Sequence, residues 1–372
     1  MKKTISIITL LFSVAIWTHT ITKKPLKVLH MSFHKGCIKD FEEVGKELGL
    51  QVYSWHIFSR PFKKFDGITK DANVYNISHE RAKRIWDINK DFFNTFDVVV
   101  TSDTTPLSRI FLQNNFKKTL IIWVCNRFDY HHEVNMDCQF PDSEYYQLIN
   151  KAITMDNVKI VLYTEFERIY AKKKGIIFEN NIIKPIGVKE KTIDETFISK
   201  IPNHIKKEER IFLYPSRAPK EKYYYIGEQL LQKNIPFFCS PYNGPEDLKD
   251  FKGIIYFPYQ ASNLALFEHL QRGIIQFVPS KKFILELNNA GHSLMPFVWG
   301  SGVEYNEWYN DENKNYIIYF DSWDDLKYKI EHTDYDQMRK KIRAFGKKHR
   351  KSMLERWRNV FEKIINCKKQ IS

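Results

Sequence analysis

Two patterns of apolar and polar positions alternate along the chain. Short runs rich in Val, Ile, Leu and aromatic residues stand at 26–33, 51–57, 96–102, 119–125 and 158–164. Each is bounded by polar or turn-forming residues, the pattern of strands buried on both faces. Between them, 37–48, 78–89, 106–114, 143–154 and 165–174 carry apolar residues at helical spacing. Phe41, Val44 and Leu48 mark one such face. Strands alternating with helices predict a parallel sheet covered on both sides. Residues 58–77 fit no element.

The pattern breaks near Ile186-Gly187-Val188, and the stretch up to residue 209 is polar and charged. A second series then begins, with strands at 211–215, 235–240, 254–258, 274–279 and 315–320. Its helices fall at 222–233, 263–272, 282–290 and 322–330. The tail, 334–365, is one long amphipathic helix or a broken pair. Ile342, Phe345, Met353, Trp357, Phe361 and Ile364 form its stripe, and Gly346 is a possible break. The expected fold class is α/β, with two Rossmann-like parallel-sheet domains facing a cleft and a long C-terminal helix. The expected divisions are an exported or anchoring segment at 1–24, a first domain at 25–190 and a linker at 191–209. A second domain at 210–333 and a basic helix at 334–372 complete the chain.

Composition changes this picture in three places. Of the net charge of +14, nine units lie between Asp334 and Ser372, where thirteen Lys or Arg face four Asp or Glu. A surplus so localised favours an anionic membrane surface or an acidic substrate over nucleic acid, and a solvated helix face accounts for it equally well. Lys2 and Lys3 precede an apolar run from Ile5 to Trp17. That run is shorter than the roughly 20 residues of a membrane span and reads as a signal peptide or signal anchor. An exported or membrane-associated protein is expected, with the cytoplasmic membrane face also open. Cys37, Cys125, Cys138, Cys239 and Cys367 show neither disulfide nor metal-ligand spacing, so core thiols are expected and no metal.

Candidate chemistry begins at YPSRAPKEK (214–222), directly after the first strand of the second series. Arg217 and Lys222 stand on a loop leading into a helix. A guanidinium and an ammonium there stabilise the charge that develops on a diphosphate leaving group. YQASNLALFEHLQRG (259–273) follows a later strand of the same series. Ser262 is the expected N-cap, and the backbone N–H groups of Ser262, Asn263 and Leu264 suit an anion. Glu268, one turn further on, can accept from two ribose hydroxyls.

This order of Arg217, Lys222, Glu268, Gly273 and Val278-Pro279-Ser280 resembles the donor domain of GT-B glycosyltransferases. The closest resemblance is to the E-x7-E group, also called glycosyltransferase group 1 or family 4-like. Glu268 matches the second Glu of that signature, and Gln260 stands where the first is expected. NIIKPIGV (181–188), VLYTEFERIYAKKKG (161–175) and YFDSWDDLKYKI (319–330) extend the likeness over roughly 26–345. The resemblance implies a metal-independent, hexosyltransferase-like enzyme. Its co-substrate would be a nucleotide-diphosphate-sugar, with no further cofactor, and its acceptor a glycan, a lipid-linked molecule or a protein. The departure at Gln260 leaves donor identity and stereochemistry open.

In the first domain three residues at strand ends are base candidates of equal rank: His34, Asp103 and Asp129. Asp129 has Arg127 nearby as a structural partner. Asp334-Tyr335-Asp336 has the spacing of a metal motif but opens the last helix, where acids cap well. Two alternatives remain. A periplasmic solute-binding protein has the same two-domain cleft and suits the N-terminal segment, and a nucleotide-sugar epimerase shares the fold.

Overall fold

The computed structural model describes residues 25–57, 75–130, 142–187, 210–213, 220–240, 244–258, 260–261, 263–292 and 303–371, without the side chains of 220–223 and 367–371. The first half runs β1 (Lys27–Ser32), α1 (Lys35–Leu48), β2 (Gln51–His56), α2 (His79–Phe93), β3 (Val98–Ser102), α3 (Arg109–Leu112), β4 (Thr119–Val124), α4 (Ser143–Ile153), β5 (Val158–Leu162) and α5 (Glu165–Lys173). The second runs β6 (Ile211–Leu213), α6 (Lys220–Gln232), β7 (Phe237–Cys239), β8 (Gly253–Ile255), α7 (Leu264–Arg272), β9 (Gln276–Pro279), α8 (Lys281–Leu287), β10 (Ile318–Phe320), α9 (Trp323–His332) and α10 (Tyr335–Ile371).

Each half holds a parallel five-stranded sheet, in the orders β2-β1-β3-β4-β5 and β10-β9-β8-β6-β7. The two orders are the same topology: the strand first in sequence lies between the second and the third. In such sheets the chain leaves in opposite directions from the first and third strands, and a crevice opens at their carboxyl ends. The expected fold class, two Rossmann-like parallel-sheet domains with a long C-terminal helix, is the one observed.

The apolar runs form strands because they can be buried on both faces. Val99, Leu120 and Ile122 point into one core with Ala82, Ile85, Phe111 and Ile149. Val28, Val98, Val100, Ile121 and Trp123 point into the other, which includes Phe41 and Val44 of α1. Fully burying such a side chain contributes about 1.5–3 kcal/mol.

The last helix is continuous, and its stripe is divided between the domains. Ile342, with Met338 and Phe345 beside it, packs in the core of the second sheet. Met353, Trp357, Phe361 and Ile364 pack in that of the first. Trp357 meets Phe41 and Trp123 edge to face, each at 5.4 Å between ring centroids. Gly346 does not break the helix. It marks the crossing of α10 over α7, where an added Cβ would lie 2.5 Å from the Leu270 carbonyl oxygen.

The crossover between the halves is held by charged groups from both. Asp40 of α1 accepts from the Gly187 and Ile186 amides at 2.8 and 3.3 Å. Arg350 of α10 donates to the Gly187 carbonyl at 2.5 Å and pairs with Glu43 and Glu47. Lys184 pairs with Glu307, at 2.8 Å, and with Glu312. Gly187 has φ 73°, and an added Cβ would sit 3.0 Å from the Phe267 carbonyl oxygen, so glycine is required twice over.

Candidate active site between the two sheets

The crevices of the two sheets open onto one cavity of about 210 Å³. From the first domain it is lined by Phe33 and His34 after β1, Cys37 in α1, Asp103 after β3 and Cys125 and Asn126 after β4. From the second domain come Gln260, Asn263 and Leu264, which follow β8 and open α7. Tyr75, Tyr130 and Tyr163 complete it. Phe33, Tyr75 and Tyr130 form an edge-to-face aromatic run, with centroids 5.0 and 5.7 Å apart, and Arg127 lies over Tyr130.

The carboxyl ends of β1 and β3 flank the point where the first sheet's strand order reverses, which is why His34 and Asp103 meet there. Asp103 has φ 66°, a left-handed backbone that is uncommon outside glycine. The surrounding protein pushes its carboxyl up to about 7, and the charge of Cys37 adds to that effect. A carboxyl poised near neutrality is matched to proton abstraction.

His34 is the N-cap of α1. Its Nδ1 accepts from the Gly36 and Cys37 amides at 3.1 and 3.3 Å. With Nδ1 so used, the neutral ring carries its proton on Nε2 and is a donor there. Asp129 is elsewhere. It is buried, accepts from the Tyr146 hydroxyl at 2.5 Å and does not line the cavity.

On the other side, α7 begins one residue later than a Ser262 cap requires. The N-cap is Asn263, whose side chain accepts from the Ala265 amide at 2.8 Å, and Ser262 lies outside the described residues. Asn306 donates to the Gln260 carbonyl and the Glu307 amide to the Ala261 carbonyl, both at 2.7 Å, which fixes this loop. Leu264 reaches across to α1, where a Cβ on Gly36 would lie 2.3 Å from its Cδ1. The positive ends of α1 and α7 therefore abut at the cavity, an arrangement favourable to an anion.

Glu268 is half-buried on α7, close enough to Asp40 for its charge to add to the burial that pushes that carboxyl up to about 7. Gly273 ends α7 with φ 70° and lies against Arg343 and the Arg339 carbonyl. Arg217 and the side chain of Lys222 lie outside the described residues. Asp334 caps α10 by accepting from the Gln337 amide, and no group of three metal-ligating side chains occurs among the described residues.

The sequence reading missed Cys37, Cys125, Asn306, Glu307 and the aromatic run. For Cys125 a signal existed, because it stands just past a strand end of the first sheet, while Cys37 lies in the first turn of the helix that follows β1. Asn306 and Glu307 belong to short 3-10 turns with no apolar periodicity to announce them.

No protein-family model matches the chain, and no curated protein matches its sequence. Solved structures to which the chain is similar include a kitacinnamycin glycotransferase, with a TM-score of 0.49 and 9% identity over 92% of this chain and 99% of that one. A UDP-forming α,α-trehalose-phosphate synthase from Burkholderia xenovorans gives 0.46 and 9%, over 92% of this chain and 99% of that one. A UDP-GlcNAc 2-epimerase from Methanocaldococcus jannaschii gives 0.44 and 13%, over 83% and 93%.

Proposed function

We propose that this protein is a glycosyltransferase that moves a sugar from a nucleotide-diphosphate-sugar to an acceptor bound against the first domain. The observation that carries the reading is the convergence of two like sheets on one cavity. One edge supplies a carboxyl poised near neutrality, Asp103, and the other supplies the N-terminus of α7. Arg217, Lys222 and Glu268 add, by their order in the sequence, a diphosphate clamp and a ribose acceptor at the second edge.

In this mechanism Asp103 takes the proton of the acceptor hydroxyl as its oxygen attacks the sugar carbon. The carbon–oxygen bond to the diphosphate breaks, and its negative charge is met by Arg217, Lys222 and the positive end of α7. His34, with its proton on Nε2, orients a hydroxyl as donor. Gln260, at the cavity wall, stands at the first Glu position of the E-x7-E resemblance and would hydrogen-bond the sugar without adding charge. The cations of the donor loop stand in for a divalent metal, so turnover should survive a strong chelator.

A panel of UDP-, GDP- and ADP-sugars, incubated with the protein and assayed for released nucleoside diphosphate, tests this. Release from one donor, with or without chelator, supports transfer. Release that needs manganese or magnesium counts against the metal-free mechanism. Epimerised donor, or binding with no bond broken across the panel, counts against the transferase.

A further inference from the structure

The cavity contains two thiols that sugar transfer does not use. Cys37 stands in the first turn of α1, and Cys125 directly follows β4. Both line the cavity, with Cys125 the strongest influence on the Cys37 thiol. His34 and Ser102 also stand beside Cys37, while Cys125 donates to the Trp123 carbonyl at 3.4 Å. The charged and titratable groups facing Cys37 are His34, Asp40, Asp103, Cys125 and Tyr163.

The environment makes the two thiols unequal. Cys37 lies at the positive end of a helix, which favours its thiolate. The neighbouring Cys125, His34 and Ser102 side chains hold the Cys37 thiol below the ordinary range in spite of burial. Burial pushes Cys125 the other way. One thiol is thus disposed to attack and its neighbour to follow, the division that thiol–disulfide exchange requires.

We propose that the cavity is a thiol-modification site, in which Cys37 takes soft electrophiles and small disulfides and Cys125 resolves the mixed disulfide. The Cys37 thiolate attacks one sulfur of R–S–S–R, the S–S bond breaks, and the first R–S⁻ leaves and takes up a proton. Cys125, giving up its proton, then attacks the Cys37 sulfur. The Cys37–Cys125 bond forms, and the second R–S⁻ leaves as a thiol. Two protein thiols lose two electrons, and the small disulfide gains them. An adduct on Cys37 occupies the same space as the proposed acceptor. The site stands whether or not the cavity transfers sugar, because it is read by labelling and not by turnover.

The test uses the full chain with limiting iodoacetamide across pH 5–8, and peptide mass spectrometry at each cysteine. Cys239 is the internal reference, being exposed, with a thiol that partial burial pushes up. Cys37 should be labelled about tenfold faster than Cys239 at neutral pH and keep its lead at lower pH. Labelling no faster than Cys239 would overturn the site. Hydroxyethyl disulfide should then give linked Cys37 and Cys125 peptides in the wild type, and a stable hydroxyethylthio adduct on Cys37 in Cys125→Ser. A lasting adduct on Cys37 of the wild type, beside an unmodified Cys125, would overturn the resolving role.

Discussion

The two sheets share one strand order and are built on different scales. The first has strands of five or six residues, with β3 buried along its whole length. The second has strands of three or four residues. Its ladders are short, and its core leans on helices and large aromatics such as Trp308, Trp323 and Phe283. The edges facing the cavity differ in kind as well. The first offers side chains in unusual states, with Asp103 pushed up to about 7 and His34 committed as a cap. The second offers a pinned loop and a helix end, through Gln260, Asn263 and Leu264. Topology places both edges; the residues after the strands give one a carboxyl near neutrality and the other a helix N-terminus.

The largest effect is expected at the first edge. Asp103→Asn should lower kcat for sugar transfer by about 10²–10⁴-fold, the usual worth of a general base, and leave nucleoside diphosphate affinity unchanged. The base is the ionised form, so wild-type activity should climb as pH rises through about 7. That limb should vanish in the variant. A pH–rate profile with the limb intact would remove Asp103 from the role.

Two substitutions on α10 compare the domains it joins. Trp357 is fully buried against the first sheet, and Trp357→Ala should cost about 3–5 kcal/mol in denaturant unfolding. Gly346 crosses the second domain's α7. Helix propensity alone favours Gly346→Ala by about 1 kcal/mol. The contact with the Leu270 carbonyl should reverse that sign, for a net loss of about 1–3 kcal/mol. A stabilised Gly346→Ala would mean that the crossing is looser than described.

The smallest effect concerns the outer face of the same helix. Arg339 and Arg356 are spent on backbone carbonyls and Arg350 on the crossover, so they add little to a cationic surface. Lys340, Lys347, Lys348, Lys351 and Arg358 are exposed. Each contributes about 1 kcal/mol near anionic lipid. The protein starting at Thr22 should co-sediment with anionic vesicles and release as salt rises. Equal behaviour with neutral vesicles would leave the helix a clasp between domains.

Much of the fold was legible because strands buried on both faces read as continuous apolar runs, as 98–102 and 119–124 do. The short strands of the second sheet were placed less sharply, since 235–240 and 315–320 shrank to Phe237–Cys239 and Ile318–Phe320. Three or four residues carry too little periodicity to fix an end. Arg217 and Lys222 stand out in the sequence as a local pair of cations, and Arg217 and the Lys222 side chain lie outside the described residues. The cavity was not legible, because sequence spacing does not reveal strand order. Only once β1 and β3 are neighbours do His34, Cys37 and Asp103 become one site and Asp129 part of the core.

In the proposed reading the two edges hold a nucleoside diphosphate between them. Isothermal titration of UDP, GDP and ADP into the wild type, Arg217→Ala and Glu268→Ala tests it most directly. One nucleotide should bind the wild type, and each variant should lose about 1.5–3 kcal/mol, as charge-assisted hydrogen bonds are removed. Wild-type affinity in both variants, or no binding of any of the three to the intact protein, would contradict the account.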